Sequence, residues 1–545
     1  MLRSHFSLLL LSAIFFACAP QKESKNASLI DGKRIAEDVK VLASDEFGGR
    51  KPFTQYETKT VEYLEDQFEQ MGVEPGNGDS YFQEVPMVEI ESENMSPLHV
   101  EGKGFSKDYA YKSEFVALTR RVTDSISLDH SELVFAGYGI VAPEYDWNDY
   151  KGLDVAGKTV VVLVNDPGFG SNDSTFFKGG AMTYYGRWTY KYEEAARQGA
   201  AGVLIIHDTK PASYPWGVVE NGWTGANLYL KADDNNMSRC KIEGWIGLDV
   251  AKELFKASGK ENYDFTTEAK KRSFKPFDIG LAISISFTNK TKTSESKNVA
   301  GLITGTEKPD EVVIYSAHWD HLGFGSPING DSIYNGAVDN GTGTAALLEI
   351  ARAFAQNPEK PKRSVLFLAV TAEEQGLLGS AYYAEHPIFP PSKTVADLNM
   401  DALMPIGEMK DLTIVGYGQS TLDDMAEKLA KEQGRYIIPD PEPGAGHFFR
   451  SDHFSFAKVG IPALYASGSY EHMTKGVEYA KEKSEAYVAH DYHQPSDEYS
   501  DSWDMGGIVQ DATLLYELGD ELANDTSLWP KWKKGSEFKT IRENK

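Results

Sequence analysis

Cysteine is nearly absent: Cys18 and Cys240 are the only two in 545 residues. A disulfide framework and a Cys-rich structural zinc site are both excluded by that count. A chain of this size must therefore hold itself together through its apolar core. Basic residues are also scarce, 55 Lys and Arg against 81 Asp and Glu, for a formal net charge of −26. Nucleic-acid binding needs clustered Lys and Arg facing phosphates, so it is excluded as a main role. Internal repeats and low-complexity tracts are missing, and neither HExxH nor GxSxG occurs. The commonest zincin and serine-hydrolase signatures are thus absent.

What is present is an ordinary globular composition, 41% hydrophobic and 25% charged, in a chain long enough for two or three domains. The N-terminus carries Arg3 before an apolar stretch, Phe6 to Ala17, of signal-peptide rather than membrane-spanning length. It closes on "FFAC" (15–18), which resembles a bacterial lipobox. That resemblance implies a diacylated Cys18, export, and a lipid anchor on the periplasmic face or cell surface of a bacterial membrane. The expected organisation is a signal and tether over 1–26, a discontinuous main domain over 27–125 and 277–530, an insert over 126–276, and a short basic tail over 531–545.

Helices are expected within 31–72, ending at Gly72. Apolar runs at 311–317, 365–370, 412–415 and 461–466 alternate with helical stretches such as 344–356. Strands alternating with helices predict an α/β fold with a mixed, mostly parallel, buried sheet flanked by helices.

In such folds ligands gather beyond the carboxyl ends of strands. "VVIYSA" is followed by His318, Asp320 and His321; "VLFLAV" by Glu373 and Glu374; "TVADLNMD" ends in Asp401; and Asp339 precedes a Gly-rich helix start. Histidine plus carboxylates without thiols is a ligand set for a catalytic divalent ion such as Zn²⁺. If the four carboxylates converge, each pair about 4 Å apart costs about 4 kcal/mol at an effective dielectric near 20. Two divalent cations roughly 3.5–4 Å apart would relieve that repulsion.

"HWDH", "DNGTGTAALLE", "AEEQGLLGS", "NMD" and "YHQPSDEY", in that order, resemble the M28 family of zinc metallopeptidases. "VKVLASDEFGGR" (39–50) is similar to that family's N-terminal segment. The resemblance implies a zinc-exopeptidase fold binding two Zn²⁺ per chain. His318, Asp339 and Asp401 would hold one zinc, and Asp339 would bridge to a second completed by Glu374 and His493. Glu373 would be the general base toward the attacking water, and Asp320 would orient the His318 ring. Asp497 would do the same for His493, and the Asp339–Asn340 bond would be cis. His321, outside the pattern, is expected to be a buried, satisfied histidine. "RSDHFSF" (450–456) resembles a family segment near the substrate pocket, which makes Asp452 and His453 candidates for substrate contact, with structural packing the alternative. "GTGTAA" (341–346) lacks the third glycine and the lysine of a nucleotide loop and reads as a helix start.

The stretch 126–276 lacks such ligands. Its "FAGYGIVAPEYDWNDYKGLDVAGKTVVVL" and "AARQGAAGVLIIHD" resemble an inserted protease-associated (PA) domain, which implies a smaller β-rich α/β module gating the site; a spacer is the alternative. The activity so implied is that of an aminopeptidase acting on peptides. A dipeptidase or carboxypeptidase on the same two zincs is the first alternative, and an inactive binding protein of the same fold the second.

Overall fold

The computed structural model describes residues 29–543. The expectations for the signal, the tether and Cys18 lie outside the described residues. No helix among the described residues is long and apolar enough to cross a membrane.

The larger unit is built on eight strands. Their order is Phe82–Glu93, Phe277–Ile303, Arg363–Val370, Lys308–His318, Thr394–Asn399, Ala463–Ser467, Asp411–Ile414 and Tyr436–Pro439. The four central strands run parallel, and antiparallel pairing is confined to the flanks. The mixed, mostly parallel sheet expected from the alternating pattern is therefore present. All eight residues of Arg363–Val370 are buried, as a strand covered on both faces requires.

Successive residues point to opposite layers. Val313, Tyr315, Ala317, Val365, Phe367 and Ala369 join the core under helices Gly343–Gln356 and Gly506–Asn524. Val312, Ile314, Leu366, Leu368 and Val370 meet Tyr383 and Phe456 from helices Leu378–Glu385 and His453–Lys458 on the other side. The N-terminal helices Gly32–Leu42 and Gln55–Met71 pack with the first layer. Gly72 ends the second of them at φ 72°, as its position in the sequence predicts.

The smaller unit has its own sheet, in the order Ser125–Phe135, Thr159–Leu163, Gly202–His207, Ile242–Gly247 and Phe115–Leu118. Since Phe115–Leu118 pairs there, this unit begins before the expected residue 126. The strand expected to start at 277 runs on to Ile303 as one 27-residue element. It pairs with Ser125–Phe135 in the smaller unit and with Phe82–Glu93 and Arg363–Val370 in the larger one. One backbone ladder thus joins the two units.

Residues 531–543 are not a free tail. Phe538 is fully buried, Trp532 donates to the Gly460 carbonyl at 2.9 Å, and Glu537 accepts the Tyr184 N–H at 3.1 Å. This segment seals the seam between the two units.

Candidate metal centre

Three parallel strands deliver polar side chains to one edge of the sheet. His318 is the last residue of its strand, Glu373 and Glu374 follow Val370, and Asp401 follows Asn399. Ala372, at φ 53°, turns the chain out of the strand just before the glutamate pair.

Asp339 enters from the irregular segment Ala337–Thr342, whose Asp339–Asn340 peptide is cis. The Asn340 side chain anchors this segment, donating to the Met400 carbonyl at 3.0 Å and accepting the N–H groups of Gly343 and Ala402. His493 arrives from the loop after helix Gly476–His490, its ring stacked on Tyr492 at 3.9 Å.

The five expected ligands converge. His318 Nε2 lies 3.3 Å from Asp339 Oδ1 and 3.4 Å from Asp401 Oδ1. His493 Nε2 lies 3.2 Å from Asp339 Oδ2 and 3.0 Å from Glu374 Oε2. The two oxygens of Asp339 therefore face two different donor sets. Glu373 Oε2 stands 4.0 Å from His318 Nε2, on the other side of the doublet from Glu374.

The electrostatics fit a cation. Burial pushes Glu373 well above the usual carboxylate range, and Asp401, Asp452 and Glu374 push it further, against His318. Burial would lower both imidazoles, yet the surrounding carboxylates outweigh it, taking His318 well up and His493 to about 10. Burial likewise works to raise Asp339, and His318 and His493 overcome it and hold it below its ordinary value. The site is one in which carboxylates demand positive charge. His493 Nε2 is buried without a hydrogen-bond partner. Imidazole nitrogens with carboxylate oxygens are the donor set that Zn²⁺ takes, and the residues present fit two such ions.

Several expectations change in detail. The His318 ring presents Nδ1 to the main-chain oxygen of Asp320 at 3.2 Å, with the carboxylate further off at 3.8 Å. That carboxylate accepts the N–H of Glu373 at 3.1 Å instead, and burial raises it to about 7. Asp497 does not orient His493. It accepts the N–H groups of Val338 and Asp339 at 3.0 and 3.1 Å and the Tyr487 hydroxyl at 3.2 Å, so it fixes the backbone before Asp339.

Asp452 and His453 are 1% and 0% exposed. Ser380 donates to Asp452 at 2.5 Å, while the His453 ring lies against Phe448 and Tyr465. Burial of this kind leaves no face for a substrate, and both act from behind the site as packing. His321 is not satisfied by hydrogen bonds as expected: neither ring nitrogen has one, and Nδ1 makes only a close ion-pair contact with Glu374 Oε1 at 2.5 Å.

Two supporting residues lie in the quoted stretches 39–50 and 450–456 without being candidates there. Ser451 donates to Asp401 Oδ2 at 2.6 Å. Arg50, in the "FGGR" stretch, is 1% exposed and donates to the carbonyls of Leu42, Trp319, Asn335 and Gly336 at 2.5–2.9 Å. It ties the turn after His318 to the turn before Asp339.

Residues 298–516 match the model of Peptidase family M28. Aminopeptidase NAALADL1 of Mus musculus is 37% identical over 161 residues, covering 29% of this chain and 20% of that protein. Glutamate carboxypeptidase 2 homolog of Caenorhabditis elegans is 33% identical over 215 residues, 34% of this chain and 26% of the relative. The chain thus spans about a fifth to a quarter of the length of these curated relatives. Among solved structures, the aminopeptidase from Aneurinibacillus sp. strain AM-1 superposes with a TM-score of 0.47 at 18% identity, covering 92% of this chain and 95% of that one. The stretch 298–516 that matches the family model holds His318, Asp339, Glu373, Glu374, Asp401 and His493.

Proposed function

We propose that the protein is a zinc-dependent exopeptidase with two metal ions per chain, removing N-terminal residues from peptides. The observation that carries this reading is the split of Asp339, one oxygen toward His318 and Asp401 and the other toward His493 and Glu374. His318, Asp339 and Asp401 would hold one ion, and Asp339, Glu374 and His493 the other. When bound, such a pair polarises a scissile carbonyl and makes water acidic enough to be deprotonated near neutral pH.

The chain's own contribution is positional and proton-handling. Glu373 is free of metal duty because Glu374 takes it. With its backbone N–H donated to Asp320 at 3.1 Å, its Oε2 accepts the proton of the attacking water and returns it to the departing amine nitrogen. Ser451 and Asp497 hold Asp401 and the Asp339 backbone in place.

Aminopeptidase activity is favoured by charge. No Lys or Arg among the described residues is ion-paired to Glu373, Glu374, Asp339 or Asp401, so a substrate ammonium is met by acidic groups. One relative's name, glutamate carboxypeptidase 2 homolog, supports carboxypeptidase action as the second reading. A panel of peptides with free or blocked termini separates the two. N-terminal acetylation abolishing cleavage fits the aminopeptidase, and C-terminal amidation abolishing it fits the carboxypeptidase. Cleavage of doubly blocked peptides would end the exopeptidase reading. The "FFAC" segment supports a lipid anchor on Cys18, which the mass of the N-terminal peptide tests.

A further inference from the structure

His321 lies three residues beyond His318 and is fully buried. Its Nδ1 sits 2.5 Å from Glu374 Oε1, and its ring stands 5.6 Å from that of His493 at 69°. The other oxygen of the same carboxylate, Oε2, is the one that faces His493 Nε2 at 3.0 Å. The two oxygens of Glu374 are thus divided between two imidazoles. Room for the His321 ring comes from Gly336: a Cβ there would fall 2.5 Å from the ring's Cγ and Cδ2. Gly336 also has φ 59°, a conformation that disfavours a side chain. Backbone and ring are therefore matched at this point, and the ring cannot turn away without meeting the segment that leads to Asp339.

We infer that His321 is a positioning residue of the second ion site, its ring holding Glu374 Oε1 so that Oε2 alone is presented toward Asp339 and His493. This rests on the two-ion reading proposed above. A glutamate has three side-chain torsions and, unheld, would sample orientations that turn both oxygens away from the ion. An imidazole fixed by burial removes that freedom at no cost in exposed charge. It acts on the ligand as the outer partners of metal-binding groups do, and loss of such a partner weakens metal binding by roughly 10–100-fold.

The test is stepwise zinc binding, read by competition with a chromophoric chelator on the full chain, with no assay of turnover. His321→Phe keeps the ring volume and removes the nitrogen that meets Oε1; His321→Asn places an amide nitrogen near the position of Nδ1. The wild type and His321→Asn are expected to bind two ions with affinities within a few-fold of each other. His321→Phe is expected to keep the tighter ion and to bind the other ~10–100-fold more weakly. Unchanged affinities in His321→Phe would overturn the inference while leaving the two-ion reading intact. Loss of the second ion in both variants would also overturn it, making His321 a ligand rather than a positioning group. A wild type that binds fewer than two ions would defeat the underlying reading and this one with it. Circular dichroism of His321→Asn guards against a folding defect being taken for a metal defect.

Discussion

Asp320 accepts the backbone N–H of Glu373 at 3.1 Å, so the turn leaving one central strand is tied directly to the turn leaving its neighbour. The consequence is a fixed divergence of the glutamate doublet. With the Glu373 amide pinned, its carboxylate falls 4.0 Å from His318 while that of Glu374 falls beside His493 and His321. Two like charges in sequence are thereby sent to two different sets of partners, which is how adjacent glutamates coexist at the end of a buried strand.

That division of labour predicts a sharp asymmetry between the two glutamates. Glu373→Gln should retain both ions, because its side chain is not needed to hold either, yet lose about 10²–10⁴-fold in kcat. Glu374→Gln should lose the second ion first. Metal content of the two purified variants, measured beside their turnover, checks this; near-wild-type kcat in Glu373→Gln would remove its role as base.

Arg50 leads to a second expectation. The carbonyls of Leu42, Trp319 and Asn335 lose their donor if its guanidinium is removed, while that of Gly336 keeps the Gly341 N–H at 3.1 Å, and each orphaned buried acceptor costs about 1–3 kcal/mol. Arg50→Met should therefore be destabilised by roughly 3 kcal/mol or more, and Arg50→Lys should recover only part, since one ammonium cannot reach four carbonyls on three segments. Urea denaturation with and without a chelator measures both effects. A larger loss in the metal-loaded protein is expected, because the turns that Arg50 clamps carry His318 and Asp339.

The strands and most of the centre were legible from sequence because they follow from local rules. Runs such as "VLFLAV" are apolar at every position, which only a doubly covered strand tolerates, and the acids stand at the strand ends. What was not legible depends on distant partners. The histidine at 321 is indistinguishable from a core histidine until Gly336 and Glu374 are brought against it. Asp497 follows His493 closely in sequence, yet the backbone of Val338 and Asp339 claims its carboxylate first. The polar stretch "TNKTKTSESK" carries no strand signal, and it is extended because Phe82–Glu93 pairs along it. Asp452 and His453 look like pocket residues by motif, and helix packing buries them.

Cys240 offers a simple probe of the smaller unit. It is fully buried, and burial pushes its thiol up to about 12, aided by Glu243. Alkylation needs the thiolate, so iodoacetamide at pH 8 should leave Cys240 unmodified in the native protein and label it quickly in urea. Peptide mapping by mass spectrometry isolates this residue from Cys18. Rapid labelling without denaturant would mean that the unit opens far more readily than its packed core implies.

The seam between the units should be sensitive to acid, for a reason that one ion pair makes explicit. Lys458, on the larger unit, lies 2.8 Å from Glu193 on helix Trp188–Arg197 of the smaller one. Burial works to raise Glu193, but Lys458 and Arg239 outweigh it, with the Tyr184 hydroxyl adding a hydrogen bond, and hold it at about 2. A carboxyl whose folded value lies below its unfolded one, about 4.3, stabilises the fold above that unfolded value. The contribution is lost as the pH falls from about 4 toward 2. Lys458→Met removes the leading cause of the depression, so the folded value of Glu193 moves toward the unfolded one and the stabilisation it gives above about pH 4 is lost at the outset. The acid unfolding transition of Lys458→Met should begin at higher pH than that of the wild type, and Glu193→Gln should flatten the dependence in the same window. Fluorescence-monitored acid titrations of the three proteins decide it, and coincident curves would show that this pair does not hold the units together.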